Sequence, residues 1–165
     1  VQNALLAIES ADRVLIHDAA RPDLPRPVIA RLLHALEKHP GAIPVLPVVD
    51  SLVIDESGVM AGSGEREKLK RVQTPQAFRY ADIRAAHESW QGSKDAGDDA
   101  QVLRAAGGSV ALVEGDARLK KLTFSEDFVS DLPPVRIGTG IDLLVLVPAY
   151  DGPLTDVVVG GHRAL

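Results

Sequence analysis

The chain has 165 residues, 45% of them hydrophobic and 25% charged, enough for one domain with a substantial core. Its formal net charge is −5, so it lacks the basic footprint of a protein that binds a nucleic acid polymer; a few local arginines and lysines still suffice for a small anionic ligand. It contains no cysteine, which excludes disulfides, thiolate metal sites and cysteine nucleophiles and fits a reducing, cytoplasmic setting.

No basic stretch followed by an apolar one marks a secretory signal. The longest apolar stretch, Ile141 to Ala149, contains Asp142 and falls short of the ~20 residues that span a bilayer. The chain opens on Val1 rather than Met and runs at once into a helical pattern, with Val1, Leu5 and Ile8 on one face. A start within a longer protein is therefore expected. Arg13 to Ile16 reads as a strand, and it runs into His17-Asp18-Ala19-Ala20-Arg21-Pro22. An apolar strand thus stops at a carboxylate, two small residues and an arginine. Ligands of open α/β sheets bind just outside the carboxyl ends of parallel strands. There Asp18 can take a metal or a hydroxyl, Ala19 and Ala20 let a ligand approach, and Arg21 can hold a phosphate. The plainer reading of the same residues is a turn with a solvated arginine.

Pro27 to Lys38 is the strongest helical pattern. Val28, Ile29, Leu32, Leu33 and Leu36 repeat at helical spacing, Pro27 suits the first turn, and His39-Pro40-Gly41 stops it. Ala42 to Val49 reads as a strand, with Pro44 and Pro47 arguing against a central position. Strand, helix, strand in this order predicts a right-handed parallel crossover. Ser51 to Val72 differs: short β-like pieces alternate with Gly62, Gly64 and the charged run Glu65 to Arg71, as in an extended arm. Thr74-Pro75-Gln76 reads as a polar turn before a helix over Tyr80 to Ser89. A helix over Asp98 to Ala106 opens on an acid pair that complements its dipole. A strand, Ser109 to Val113, leads to Glu114-Gly115-Asp116 and then Lys120-Lys121. Thr123 and Glu126 form a capping box that would open a last helix near Asp127. Pro133-Pro134 is a stiff break, after which residues 136–165 resume a β-rich pattern too short to bury a core of its own. Taken singly, the acid pair is a cap, the lysine pair is solvated and the arm charges are an exposed face.

Taken in order, six segments are more specific: H-D-A-A-R-P from His17, P-V-V-D-S from Pro47, R-V-Q-T-P-Q-A-F from Arg71, D-D-A from Asp98, L-V-E-G-D from Leu112 and K-L-T-F-S-E-D from Lys121. Together, over Val1 to Asp131, they resemble the 2-C-methyl-D-erythritol 4-phosphate cytidylyltransferases. The resemblance implies an α/β fold, a Rossmann-like nucleotidyltransferase three-layer sandwich with a protruding β-arm. It implies transfer of a cytidylyl group from CTP to a sugar-alcohol phosphate, with Mg²⁺ and release of pyrophosphate, in the non-mevalonate route to isoprenoids. By position, Asp18 and Arg21 fall at the substrate and nucleotide site, with Ala19 beside the nucleotide. Ser51 stands where the family usually has a threonine near the sugar alcohol. Arg66 matches an arginine that the family's arm extends to the neighbouring subunit's substrate, implying self-association through residues 51–72. Thr74 matches a substrate contact, and Lys121 matches the lysine that positions the substrate phosphate. Arg66 and Lys121 are thus the candidate catalytic residues. Bringing two anions together is a task of positioning and charge neutralisation.

Two departures bear on activity. The family's glycine-rich triphosphate loop, with its catalytic arginine and lysine, lies upstream of the position of Val1. The chain is therefore expected to lack the first strand of the sheet, to leave that strand's neighbour with an unpaired edge, and to turn over little by itself. Gly97 stands where a threonine commonly precedes the Asp-Asp pair, which removes a hydroxyl contact.

The tail carries a second resemblance. R-I-G-T-G-I-D at Arg136 to Asp142, with Gly160-Gly161 further on, is similar to the opening of the 2-C-methyl-D-erythritol 2,4-cyclodiphosphate synthases, lyase-type enzymes found fused to the cytidylyltransferase in a bifunctional family. This implies a cytidylyltransferase domain over 1–131, a linker over 132–135, and the first strands of an incomplete α+β synthase domain over 136–165. In such synthases an Asp-x-His pair holds a divalent metal such as Zn²⁺ or Mn²⁺. Here Asp142 is followed two residues on by Leu144, so one imidazole ligand is missing and weak metal binding is expected. His162 reads as a surface residue. Two other readings stand beside this one. Ribitol-5-phosphate cytidylyltransferases share a closely similar motif set, although the synthase-like tail argues against them. A non-catalytic dimerisation or binding module would rest on the arm alone.

Overall fold

The computed structural model describes residues 1–92 and 97–123, together with the backbone of two further strands at 142–147 and 158–160. The chain begins with α1 (Gln2–Leu6), followed by β1 (Arg13–Asp18), α2 (Arg26–Ala35) and β2 (Gly41–Pro47). Burial along β1 runs through both of its faces. Val14 and Ile16 join Ile43, Phe78, Ile83 and Leu103 in one apolar cluster, while Leu15 joins Val28, Leu32, Leu36, Ala77 and Leu119 in another. Successive strand residues point to opposite faces, so a continuous apolar strand needs cover on both sides, and this one has it. α2 covers one face, with Val28 and Leu32 fully buried. The other face is covered by α3 (Tyr80–Ser89) and α4 (Asp99–Ala105). This is the three-layer sandwich expected.

β1 and β2 are parallel, but they are not neighbours. β6 (Gln76–Arg79) lies between them and pairs antiparallel with both, Val14 opposite Phe78 and Gly41 opposite Phe78. The crossover expected from strand, helix, strand is therefore present with one strand inserted. Gln76, read as part of a polar turn, instead opens that central strand. Its four residues are too few to show a period, and pairing on two sides decides their conformation. β7 (Val110–Glu114) runs parallel to β2 on its far side.

β2 is central despite its prolines. β6 pairs with Gly41 and Ala42, and β5 (Lys70–Val72) pairs with Val45 to Pro47. Pro44 falls in the gap between them. There its missing N–H costs no ladder bond, and its carbonyl accepts from the Gln73 N–H at 2.8 Å.

The arm is a separate two-stranded hairpin, β3 (Val53–Glu56) and β4 (Val59–Ser63). It turns at Ser57 and Gly58, whose φ values of 55° and 85° suit a two-residue hairpin loop. The Asp55 carboxylate accepts from the Gly58 N–H at 2.8 Å.

Two strands of the tail complete the sheet. β8 (Asp142–Val147) pairs antiparallel along the whole of β1, from Arg13 opposite Val147 to Asp18 opposite Asp142. β9 (Val158–Gly160) pairs with β8. β1 is thus paired on both sides, by β6 and by β8. These two strands belong to the same sheet as β1 rather than to a sheet of their own. The expected helix near Asp127, the linker over 132–135, Arg136 to Ile141 and His162 lie outside the described residues.

Candidate active site

The carboxyl end of β1 opens into a cavity of ≈ 570 Å³. His17, Asp18, Thr74 and Lys121 line one part of it, and His87, Trp90 and Asp99 another. Beyond β1 the chain turns at once: the Arg21 N–H donates to the Asp18 carbonyl at 2.9 Å. Asp18 Oδ1 accepts from the Ala20 N–H at 3.1 Å, the local side-chain bond that makes aspartate a turn former. Asp18 therefore starts a turn, as the plainer reading has it, and its side chain also lines the cavity. Its other oxygen, Oδ2, lies 2.8 Å from Lys121 Nζ and 4.0 Å from Arg21 Nε. Burial pushes the Asp18 carboxyl up, but the bonds from Lys121 and Ala20 and the charges of Lys121 and Arg21 outweigh it and hold the group below its ordinary value.

Ala19 sits half-buried in the turn, and Leu122 N–H donates to the Ala20 carbonyl at 2.8 Å, tying the Lys121 segment to it. Arg21 faces inward. It donates through Nη1 to the Leu119 carbonyl, its Nε has no acceptor among the described residues, and it is not a lining residue of the cavity. Burial pulls its guanidinium below its ordinary value, against the pull of Asp18.

Thr74 lines the same cavity, and its hydroxyl ties it to the end of β1. Oγ1 accepts from the Asp18 N–H at 3.0 Å and lies 3.1 Å from His17 Nδ1. The Thr74–Pro75 peptide is cis. The two glutamines flanking this pair are almost fully buried and were not singled out from sequence. Gln73 clamps the loop after β7: its Nε2 donates to the Asp116 carbonyl at 2.8 Å and its Oε1 accepts from the Asp116 N–H at 3.0 Å. Gly115 must be glycine here, because a Cβ would come 2.2 Å from Gln73 Oε1 and 3.1 Å from the Val45 carbonyl. Gln76 Oε1 accepts from the Ala100 N–H at 3.0 Å and so holds the start of α4 against the sheet. Both lie in a mixed polar stretch, Lys70 to Arg79, so no local pattern marks them; once buried, an amide side chain demands partners.

The acid pair divides its work. Asp98 caps α4, accepting from the Gln101 N–H at 3.0 Å. Asp99 instead meets His87 Nε2 at 2.9 Å, with both side chains nearly buried. At Gly97 a Cβ would come 2.9 Å from Nε2 of the exposed Gln101, whose side-chain end would have to shift.

Other expected residues lie elsewhere. Ser51 is exposed at the base of the arm. Arg66 Nη1 donates to the Val49 carbonyl at 3.1 Å and its Nε to Glu67 at 3.3 Å. With Pro47 and Lys70 it lines a second cavity of ≈ 380 Å³, away from Asp18 and Thr74. Asp142 opens β8 opposite Asp18 in the ladder; its side chain lies outside the described residues.

Residues 1–131 match the family model for 2-C-methyl-D-erythritol 4-phosphate cytidylyltransferase. The chain belongs to this cytidylyltransferase family. It is 65% identical over 132 residues to a bifunctional IspD/IspF enzyme of Erythrobacter litoralis, covering 80% of this chain and 34% of the relative. A 2-C-methyl-D-erythritol 4-phosphate cytidylyltransferase of Cereibacter sphaeroides is 51% identical over 130 residues, 78% of this chain and 57% of the relative. The crystal structure of the cytidylyltransferase from Thermus thermophilus superposes with a TM-score of 0.67 at 41% identity, over 78% of this chain and 63% of that one. The chain thus spans about a third of the bifunctional relative's length (34%) and little more than half of the monofunctional one's (57%). Family and relatives favour the methylerythritol reading over the ribitol one. Both the strand-end motif and the cavity fall inside the matched region.

Proposed function

We propose that this chain carries the sugar-phosphate side of a cytidylyltransferase site, taking 2-C-methyl-D-erythritol 4-phosphate and CTP. The observation that supports it most is the Lys121–Asp18 pair at the carboxyl end of β1, beside the Thr74 hydroxyl in one cavity. The Lys121 side chain is half exposed, so its ammonium is available to a phosphate while Asp18 fixes its position. In the transfer, an oxygen of the sugar phosphate attacks the α-phosphorus of CTP. The bond to the bridging oxygen of pyrophosphate breaks, and 4-diphosphocytidyl-2-C-methyl-D-erythritol and pyrophosphate leave. Lys121 lowers the repulsion between the two anions and holds the attacking one in place. Arg21 acts from behind by bracing the Asp18 turn against Leu119.

The arm supports self-association. Val53, Ile54, Val59 and Met60 are all more than half exposed, apolar side chains on both faces of the hairpin that a second copy would cover. Arg66, held at the arm's base rather than at the cavity of Asp18 and Thr74, would then serve the neighbour's substrate. For Mg²⁺ the residues do not supply a cage: among the described residues no three His, Asp or Glu side chains converge, and Asp18 is engaged by Lys121. The ion is proposed only as a companion of the triphosphate, and no step runs through it. A Zn²⁺ or Mn²⁺ site at Asp142 has no described partner. No helix among the described residues is long and apolar enough to cross a membrane; a cytoplasmic enzyme is the reading we adopt.

Calorimetric titration tests the substrate. The chain is expected to bind 2-C-methyl-D-erythritol 4-phosphate more tightly than D-ribitol 5-phosphate, and Lys121→Ala to weaken that binding about tenfold or more, as loss of a charge-assisted contact does. Equal binding of both sugars, or no effect of Lys121→Ala, would contradict the assignment.

A further inference from the structure

We infer that His17 makes Thr74 a one-way contact, a hydroxyl that accepts a hydrogen bond from the substrate but cannot donate one. His17 is almost fully buried at the end of β1. Its Nε2 lies 2.9 Å from the Arg21 carbonyl, and a carbonyl only accepts, so Nε2 carries a proton. In a neutral imidazole Nδ1 is then the acceptor. The group facing Nδ1 is the Thr74 hydroxyl, at 3.1 Å, so the hydroxyl proton points there. One lone pair of Oγ1 takes the Asp18 N–H at 3.0 Å. A hydroxyl has one proton and two lone pairs, so a single lone pair is left for the cavity. The other neutral tautomer would set an Nε2 lone pair against the Arg21 carbonyl. Burial disfavours the charged ring, more than the neighbouring Asp18 and the Arg21 carbonyl favour it.

A phosphate oxygen brings only lone pairs and is repelled by such a group. A polyol hydroxyl brings a proton and is accepted. Thr74 therefore selects the hydroxyl end of a sugar-alcohol phosphate and leaves the phosphate to Lys121, which orients the substrate in the cavity. His17 touches no ligand in this scheme; it is a positioning residue that acts through Thr74. The identity of the occupant rests on the function proposed above, whereas the proton arrangement does not.

Two readouts on the intact chain test the inference. In nitrogen-15 spectra of histidine-labelled protein at neutral pH, the His17 ring should be the Nε2–H tautomer. The Nδ1 resonance should move in Thr74→Val and be restored in Thr74→Ser. An Nδ1–H tautomer, an imidazolium, or an Nδ1 signal indifferent to Thr74→Val would overturn it. In titrations, Thr74→Val should weaken 2-C-methyl-D-erythritol 4-phosphate about tenfold, the worth of one buried hydrogen bond, and leave inorganic phosphate unchanged. Equal losses for both probes would refute the one-way contact. Absence of binding by the wild-type chain to the sugar phosphate would sink the functional reading, and the spectra would still decide the proton arrangement.

Discussion

His17 ties the stability of the strand end to its chemistry. Burial holds its folded-state pKa below the ordinary value, near 6.5 in an unfolded chain. The unfolded state therefore binds more protons than the folded one as pH falls through that region. The stability from keeping His17 neutral is complete above about pH 6.5 and is lost progressively below it. Asp18 acts in the same direction at lower pH. Its carboxyl is held below its ordinary value by Lys121, Ala20 and Arg21 against burial, so its contribution is present above about pH 4 and disappears as acid protonates it. Urea midpoints should therefore fall in two stages between neutral and acidic pH, and the upper stage should vanish in His17→Gln. A flat profile between about pH 7 and about pH 5 would show that the ring titrates as it does in the unfolded chain. At this scale the sequence was partly legible. Asp18 stood out at the end of an apolar strand, while Thr74 and Lys121, read singly as a polar turn and a solvated lysine, became candidates only through the family resemblance. His17 did not, because its role depends on which atoms face its two ring nitrogens.

Among the elements, the helices and the apolar strands were readable and the short pairings were not. α2 declares itself through apolar residues at helical spacing and a proline in its first turn. The run Asp142 to Val147 is visibly strand-like, but its partner is set by the open edge of β1, which no local pattern encodes. α1 is a third case. Five residues are too few to be stable alone, and its end is held by tertiary contact. The Tyr80 hydroxyl lies 2.8 Å from the Leu5 carbonyl, which also accepts the Ile8 N–H at 3.3 Å, and 3.0 Å from the Ile8 carbonyl, so its one proton is shared between two acceptors at the helix end. Tyr80→Phe should therefore cost about 1–2 kcal/mol in urea unfolding, since the one buried hydroxyl donor shared by these carbonyls is lost. An unchanged midpoint would mean that α1 is held by packing of Leu5 alone.

At the scale of the whole molecule, two clusters on opposite faces of one sheet hold the carboxyl end of β1 rigid, and the site is assembled around it. Thr74 arrives from the segment before β6, Lys121 from the loop after β7, and Asp99 from α4, each fixed by buried amides at Gln73 and Gln76. The arm stands apart from this body, and Arg66 stands with it. The site is thus a property of the matched region as a whole, and it can be tested as one. The most direct measurement replaces the matching segment of the Erythrobacter litoralis bifunctional enzyme with residues 1–131 of this chain and follows pyrophosphate release from CTP. Release with 2-C-methyl-D-erythritol 4-phosphate is expected near the parent's rate, with a loss of about a hundredfold in the Lys121→Ala version, typical of removing a positioned charge. A folded chimera that is silent, or that works better on D-ribitol 5-phosphate, would contradict the proposed function.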